Sequence, residues 1–132
     1  MRSINITNIL YILLCIFFFM IGIANGQDFV SSYNFNNKIA KDVVVVEFWV
    51  EWNSSNQFAE LTKLKECEKY RVDIGKCSKI QNEYGVSAIP TVIVFDNGEE
   101  KERFEPNIMF QLDADKKTIQ HSVDTITLNK FQ

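Results

Sequence analysis

The chain has 132 residues, 14 basic and 17 acidic, for a formal net charge of −3 at pH 7. That length holds one domain and leaves no room for two. Mild acidity without a basic stripe argues against nucleic acid and anionic membrane surfaces as partners.

Arg2 opens an otherwise uncharged run to Gln27, with a nearly continuous apolar core from Ile9 to Ala24. A positive start, a greasy middle and the small residues Ala24-Asn25-Gly26 are the features of a secretory signal peptide. Residues 1–26 are therefore expected to be removed, with cleavage after Gly26. The other reading is an uncleaved signal anchor, since the run approaches the roughly 17–25 residues that span a bilayer. Removing 26 of the 132 residues leaves 106, enough for one core. The segment takes Arg2 and Cys15 with it, so the net charge becomes −4 and three cysteines become two. The final Asn129-Lys130-Phe131-Gln132 is no recognisable retention signal, which makes secretion the default over residence in the endoplasmic reticulum lumen.

In residues 27–132, Phe29-Val30 reads as a short edge strand and Ser32 to Lys41 as a short helix. Val43 to Val50 is β-branched and aromatic without alternation, which suits a central strand covered on both faces. Asn53-Ser54-Ser55-Asn56 offers capping chemistry, and Phe58, Leu61, Leu64 and Cys67 suggest a helix from Phe58 to about Lys69. Tyr70 to Ile74 reads as a strand broken by Gly75. Cys77, Ile80 and Tyr84 mark a second helix ended by Gly85. Val86 to Pro90 is a loop into the strand Thr91 to Phe95. Asn97-Gly98 predicts a type I′ turn, with Glu100 to Phe104 returning as hairpin partner. The stretch Glu105 to Leu112 is the least legible, with an extension of the last strand as one reading. Asp115 to Phe131 forms a closing helix that Asp113 or Asp115 caps. The order β-α-β-α-β-α-β-β-α predicts an α/β domain with a mixed central sheet and helices on both faces. Helices between strands imply parallel pairing there, and the hairpin adds an antiparallel edge.

Two segments carry a family resemblance. Val46-Glu47-Phe48-Trp49-Val50-Glu51-Trp52 resembles the strand that leads into the Trp-Cys-Gly-Pro-Cys motif of thioredoxins. Tyr84-Gly85-Val86-Ser87-Ala88-Ile89-Pro90-Thr91 resembles the loop with that family's cis-proline. Val92 to Phe95 with Asn97-Gly98-Glu99 is similar to the strand and hairpin that follow. The resemblance covers most of 28–130 and implies a thioredoxin-like fold. It also exposes two departures. Asn53-Ser54-Ser55-Asn56 stands where the family has Cys-x-x-Cys, and the interval from there to Asp73 is shorter than the family's.

Thiol–disulfide exchange needs a thiolate that attacks a disulfide sulfur. Asn53 and Asn56 hold the two cysteine places, and a carboxamide is neither nucleophile nor redox couple. Dithiol chemistry at this spot is excluded by composition. By the resemblance, Glu47 matches the family's buried carboxylate, either a general base or a leftover with no thiol to serve. The resemblance also implies a shallow peptide groove at Trp52, Ile89 and Pro90 that needs no sulfur, since main-chain groups hold the ligand. The alternative is that Trp52 packs on the rim and Pro90 only shapes a turn.

Cys67 and Cys77 are an even pair in an oxidising compartment, with a disulfide, buried free thiols and intermolecular pairing all open. A bridge requires Cα atoms within about 7 Å, whereas a five-residue strand between them spans about 15 Å. Asn53-Ser54-Ser55 is a glycosylation sequon, occupied or empty, and a glycan there would mask the groove. His121 has no neighbouring ligand cluster, so no metal or other cofactor is expected. The run Glu99-Glu100-Lys101-Glu102 reads as a solvated edge. These features lead to a secreted or lumenal, redox-inactive protein that binds a protein or peptide, or acts as a chaperone-like module. The alternatives are an oxidoreductase using Cys77 or Cys67 as a displaced thiol, and a purely structural module. No feature of the sequence fixes the partner or the oligomeric state.

Overall fold

The computed structural model describes Ile6 and residues 34–132. The expected signal peptide with Cys15, the cut after Gly26, the strand at Phe29-Val30 and the first residues of the Ser32 helix lie outside the described residues. The described elements are helix α1 (Phe35–Ile39), strand β1 (Val43–Trp49), 3₁₀ turns at Glu51–Asn56 and Leu61–Lys63, then β2 (Glu68–Asp73). They continue with helix α2 (Ser78–Glu83), β3 (Thr91–Asp96), β4 (Glu99–Phe104) and helix α3 (Lys116–Asn129). The sheet order is β2-β1-β3-β4.

All seven residues of β1 are buried, as its unbroken apolar run requires. Side chains alternate between faces, so one strand feeds two cores. Val44, Val46 and Phe48 pack with Phe35 and Ile39 of α1 and Ile80 of α2. Val43 and Val45 pack with Phe58, Leu61 and Leu64 of the 3₁₀ region and with Ile119 and Val123 of α3. Each of these side chains contributes about 1.5–3 kcal/mol by leaving water. The mixed sheet with helices on both faces is the predicted architecture.

Two details differ from expectation. β1 pairs β2 in parallel, but β3 runs antiparallel to β1, with Thr91 opposite Phe48 and Asp96 opposite Val43. β2 ends at Asp73, beside Trp49, and β3 starts at Thr91, beside Phe48, so the connection through α2 begins and ends at the same end of the sheet and β3 runs back along β1.

The helix expected from Phe58 to Lys69 is also absent. Residues 58–67 form a 3₁₀ turn at Leu61–Lys63, extended at Leu64 and broken at Glu66, whose φ is 58°. The apolar residues 58, 61, 64 and 67 fall every three residues. That matches the 3.0 residues per turn of a 3₁₀ helix better than the 3.6 of an α-helix. Cys67 consequently sits in the turn before β2 rather than near a helix end.

The other boundaries follow their local chemistry. Asn97 and Gly98 have φ of 50° and 86°, the two left-handed residues of a type I′ turn. Gly85, at φ 58°, ends α2 in a Schellman arrangement: Val86 N–H donates to Gln81 O and Gly85 N–H to Asn82 O. Asp115 caps α3 by accepting from Thr118 N–H at 2.8 Å. Asp113 is not the cap; it accepts from Asn107 Nδ2 instead. The illegible stretch is no strand extension. It is a loop closed by a bridge between Pro106 and Leu112.

Candidate functional site

The site begins where β1 ends. Val50 is extended, and the chain then tightens into the 3₁₀ turn Glu51–Asn56, with Asn53 N–H donating to Val50 O. This turn leaves Trp52 72% exposed while Asn53 is 7% exposed. The two asparagines at the cysteine places bond to each other, Asn56 Nδ2 donating to Asn53 Oδ1 at 2.9 Å. Asn53 Nδ2 donates in turn to Phe110 O at 3.2 Å, which ties the turn to the 106–112 loop. Nδ2, the atom of the sequon that would carry a glycan, is taken up in this largely buried contact. Ser54 and Ser55 face solvent.

Beneath the turn, Glu47 is fully buried and both its oxygens are engaged. Oε2 accepts from Arg71 Nε at 2.6 Å and Oε1 from Phe58 N–H at 2.6 Å. Arg71 Nη2 closes the ring by donating to Phe58 O at 3.1 Å. Burial raises the Glu47 carboxyl above its ordinary value, against the pull of the Arg71 guanidinium and the Phe58 amide. The arrangement anchors both main-chain groups of Phe58 to the middle of the sheet. Glu47 is thus occupied in holding the 3₁₀ region, as a buried carboxylate with an internal counterion. Sequence reasoning missed Arg71. Its signal was available: it is the one base inside the Tyr70 to Ile74 strand, and it lies in register opposite Glu47.

The Ile89–Pro90 peptide is cis, as the resemblance implies. The Thr91 hydroxyl donates to Ala88 O at 2.7 Å and braces the loop. The Ile89 side chain is buried, yet its main-chain N–H and C=O take no hydrogen bond among the described residues. A groove of 300 Å³ runs here, walled by Val50, Trp52, Ile74, Ala88, Ile89 and Phe110. Of the three residues expected to bind peptide, Trp52 and Ile89 line it, and Pro90 lies buried behind.

Phe110 is the wall residue that sequence reasoning missed. Its ring meets Trp52 edge-on, centroids 5.9 Å apart at 85°. It holds a left-handed backbone, φ 56°, uncommon for a bulky side chain. The loop around it is tightly bonded. Asn107 Oδ1 accepts from the amides of Met109 and Gln111, and Asn107 N–H donates to Gln111 O. A run of three apolar residues, Ile108-Met109-Phe110, in an otherwise polar turn was the available signal.

The thiols lie apart from this site and from each other. Cys67 packs on the α3 face of the sheet and Cys77 on the α1–α2 face, and both are unbridged. Burial pushes the Cys67 thiol up to about 11, so it is protonated at neutral pH. Among the described residues no group of His, Cys, Asp and Glu is placed to hold a metal ion, and no helix is long and apolar enough to cross a membrane. His121 is exposed on α3.

Comparison with known proteins agrees with this geometry. The Thioredoxin family model matches residues 27–114. The chain is 36% identical over 80 residues to a thioredoxin of Chlamydia caviae, covering 56% of this chain and 78% of that protein. It is 33% identical over 82 residues to a thioredoxin of Rickettsia typhi, covering 55% and 78%. Among solved structures, a mutant thioredoxin from Halobacterium salinarum superposes with a TM-score of 0.62 at 19% identity, over 76% of this chain and 89% of that one. Plasmodium falciparum thioredoxin gives 0.57 at 18%, over 75% and 97%. With the cis-proline loop, the strand that leads into the Trp52 turn and the family match in one place, the chain belongs to the thioredoxin family.

Proposed function

We propose that this thioredoxin-family domain is a secreted or lumenal, redox-inactive protein that binds extended peptide, or an unfolded segment in a chaperone-like role, beside Trp52 and Ile89. The observation that carries the reading is the Asn53–Asn56 hydrogen bond at the two cysteine places, above a Glu47 already committed to Arg71. No thiol stands at the turn, and the neighbouring carboxylate is held by a counterion. What remains is an apolar groove with a free main-chain donor and acceptor at Ile89, the combination that adds a peptide in extended form. Trp52 supplies a broad apolar face at its edge.

The relatives named thioredoxin keep a second reading in play, an oxidoreductase that uses a displaced thiol. Cys67 is a poor choice, since its thiol is protonated at neutral pH. Cys77 is half-buried and is the remaining one. The test is reduction of insulin disulfides by the purified domain, with a Cys77→Ser control. No turnover above buffer is expected. Turnover that disappears in the control would overturn the redox-inactive reading and assign the chemistry to Cys77. On the same reading the Asn53 sequon stays empty, and glycosidase treatment of secreted protein leaves its gel mobility unchanged.

A further inference from the structure

Two clefts meet at the 106–112 loop. Phe110 walls the apolar groove beside Trp52, while the next residue, Gln111, lines a cleft of 390 Å³ on the other side. The two clefts therefore share this loop as a common wall. The second cleft contains the carboxylates of Glu60, Asp113 and Asp115 and no basic residue. Asp113 and Asp115 each use only Oδ1 in hydrogen bonds within the fold, to Asn107 and Thr118, leaving Oδ2 without a protein partner. Glu60 has one cation nearby, Lys63, at 3.9 Å in an exposed pair of the kind worth little. Lys116 and Lys117 on the first turn of α3 are outside the wall.

The loop between the clefts is held rather than loose. Phe110 O accepts from Asn53 Nδ2 and its N–H donates to Asn107 O, while the two residues before it, Ile108 and Met109, are exposed. An exposed apolar patch next to an acidic cleft has a complementary ligand: an apolar side chain followed by a cationic one.

We propose that the occupant of this surface is an extended peptide carrying a large apolar residue next to a lysine or arginine. The apolar side chain enters between Trp52, Ile89 and Phe110, and the cation reaches Glu60, Asp113 and Asp115. Phe110 sets the specificity by separating the two subsites. The inference rests on the peptide-groove reading above and adds the chemistry of the ligand.

The experiment uses fluorescein-labelled octapeptides of Ala and Ser with a central Leu-Lys, Leu-Glu or Ala-Lys, titrated with the domain at low salt. Leu-Lys should bind about ten-fold more tightly than Leu-Glu, because the swap replaces attraction with repulsion at three carboxylates. Added salt and Glu60→Gln should each narrow that ratio. Phe110→Gly, which relieves the left-handed strain as it removes the ring, should lower Leu-Lys binding to the Ala-Lys level. Equal affinity for Leu-Lys and Leu-Glu would overturn the ligand chemistry while leaving a peptide groove standing. Binding indifferent to Phe110→Gly would overturn the specificity role. No binding by any of the three peptides would overturn both this proposal and the reading it rests on. A dimer in sedimentation that Phe110→Gly dissolves would assign the face to a second copy of the chain and overturn it too.

Discussion

At the scale of single residues, Arg71 decides the character of the site. A guanidinium 5% exposed and 2.6 Å from a fully buried carboxylate has little water to turn to, and Phe58 O is its other acceptor. Removing one partner leaves the other buried and unpaired, at a cost of about 3–5 kcal/mol. Arg71→Met should therefore lower the urea midpoint markedly, since that loss is a substantial share of the about 5–15 kcal/mol that stabilises a small domain. Replacing both partners, Glu47→Leu with Arg71→Met, should recover much of that loss, because no charge is then stranded. A double variant as unstable as the single one would mean that the ring around Phe58, not the charge, was the contribution. Phe110→Gly makes the opposite case. It removes an aromatic contact worth about 0.5–1.5 kcal/mol and relieves a strained φ of similar cost, so its thermal midpoint should stay close to wild type. Cys67 gives a kinetic check. With its thiol pushed up to about 11, alkylation in the folded protein should be slow at pH 7 and accelerate as pH rises toward that value.

At the scale of elements, α3 shows how a local signal fixes a boundary. Asp115 sits at the N-cap and accepts from both the amide and the hydroxyl of Thr118. Those hydrogen bonds hold its carboxyl below the usual aspartate value. A group with a depressed folded value stabilises fully above its unfolded one and loses that contribution as pH falls through the folded one. Asp115→Ala should thus melt below wild type at neutral pH, with the two curves converging under acid. A gap that persists at low pH would point to packing rather than the ionised cap. The elements that sequence made legible, β1, the Asn97-Gly98 turn, the Gly85 stop and α3, share this property of a cause within a few residues. The errors share another. Neither the antiparallel entry of β3 nor the loss of the Phe58 helix has a local cause, since both depend on how far the chain must travel across the sheet. The three-residue apolar spacing was visible at 58–67, but it separates a 3₁₀ turn from an α-helix only when chain length is counted as well. Arg71 and Phe110 each left a trace in the sequence, but their roles are not local: one needs the β1–β2 register, the other the meeting of two loops distant in sequence.

At the scale of the whole molecule, the alteration of the turn and the rest of the fold are consistent with each other. Shortening between Asn56 and Glu68 leaves 3₁₀ turns in place of a long helix, and the Glu47–Arg71 pair holds them to β1. The loop at Phe110 then closes over Asn53 from the other side. A cysteine pair placed in this framework would sit beneath the Phe110 loop. Asn53→Cys with Asn56→Cys places two thiols where side chains already touch at 2.9 Å, so a disulfide should form in air and be seen as a mass loss of about two protons. Exchange with insulin should nevertheless stay slow. Position 53 is 7% exposed, and burial both blocks attack and favours the protonated thiol. Adding Phe110→Gly should raise the rate by uncovering position 53, whereas adding Glu60→Gln, outside the cover, should not. Fast exchange from the two cysteines alone would mean that the sulfurs were all the site lacked. Slow exchange that Phe110→Gly relieves would mean that the loop, and not only the side chains at positions 53 and 56, limits exchange at this turn.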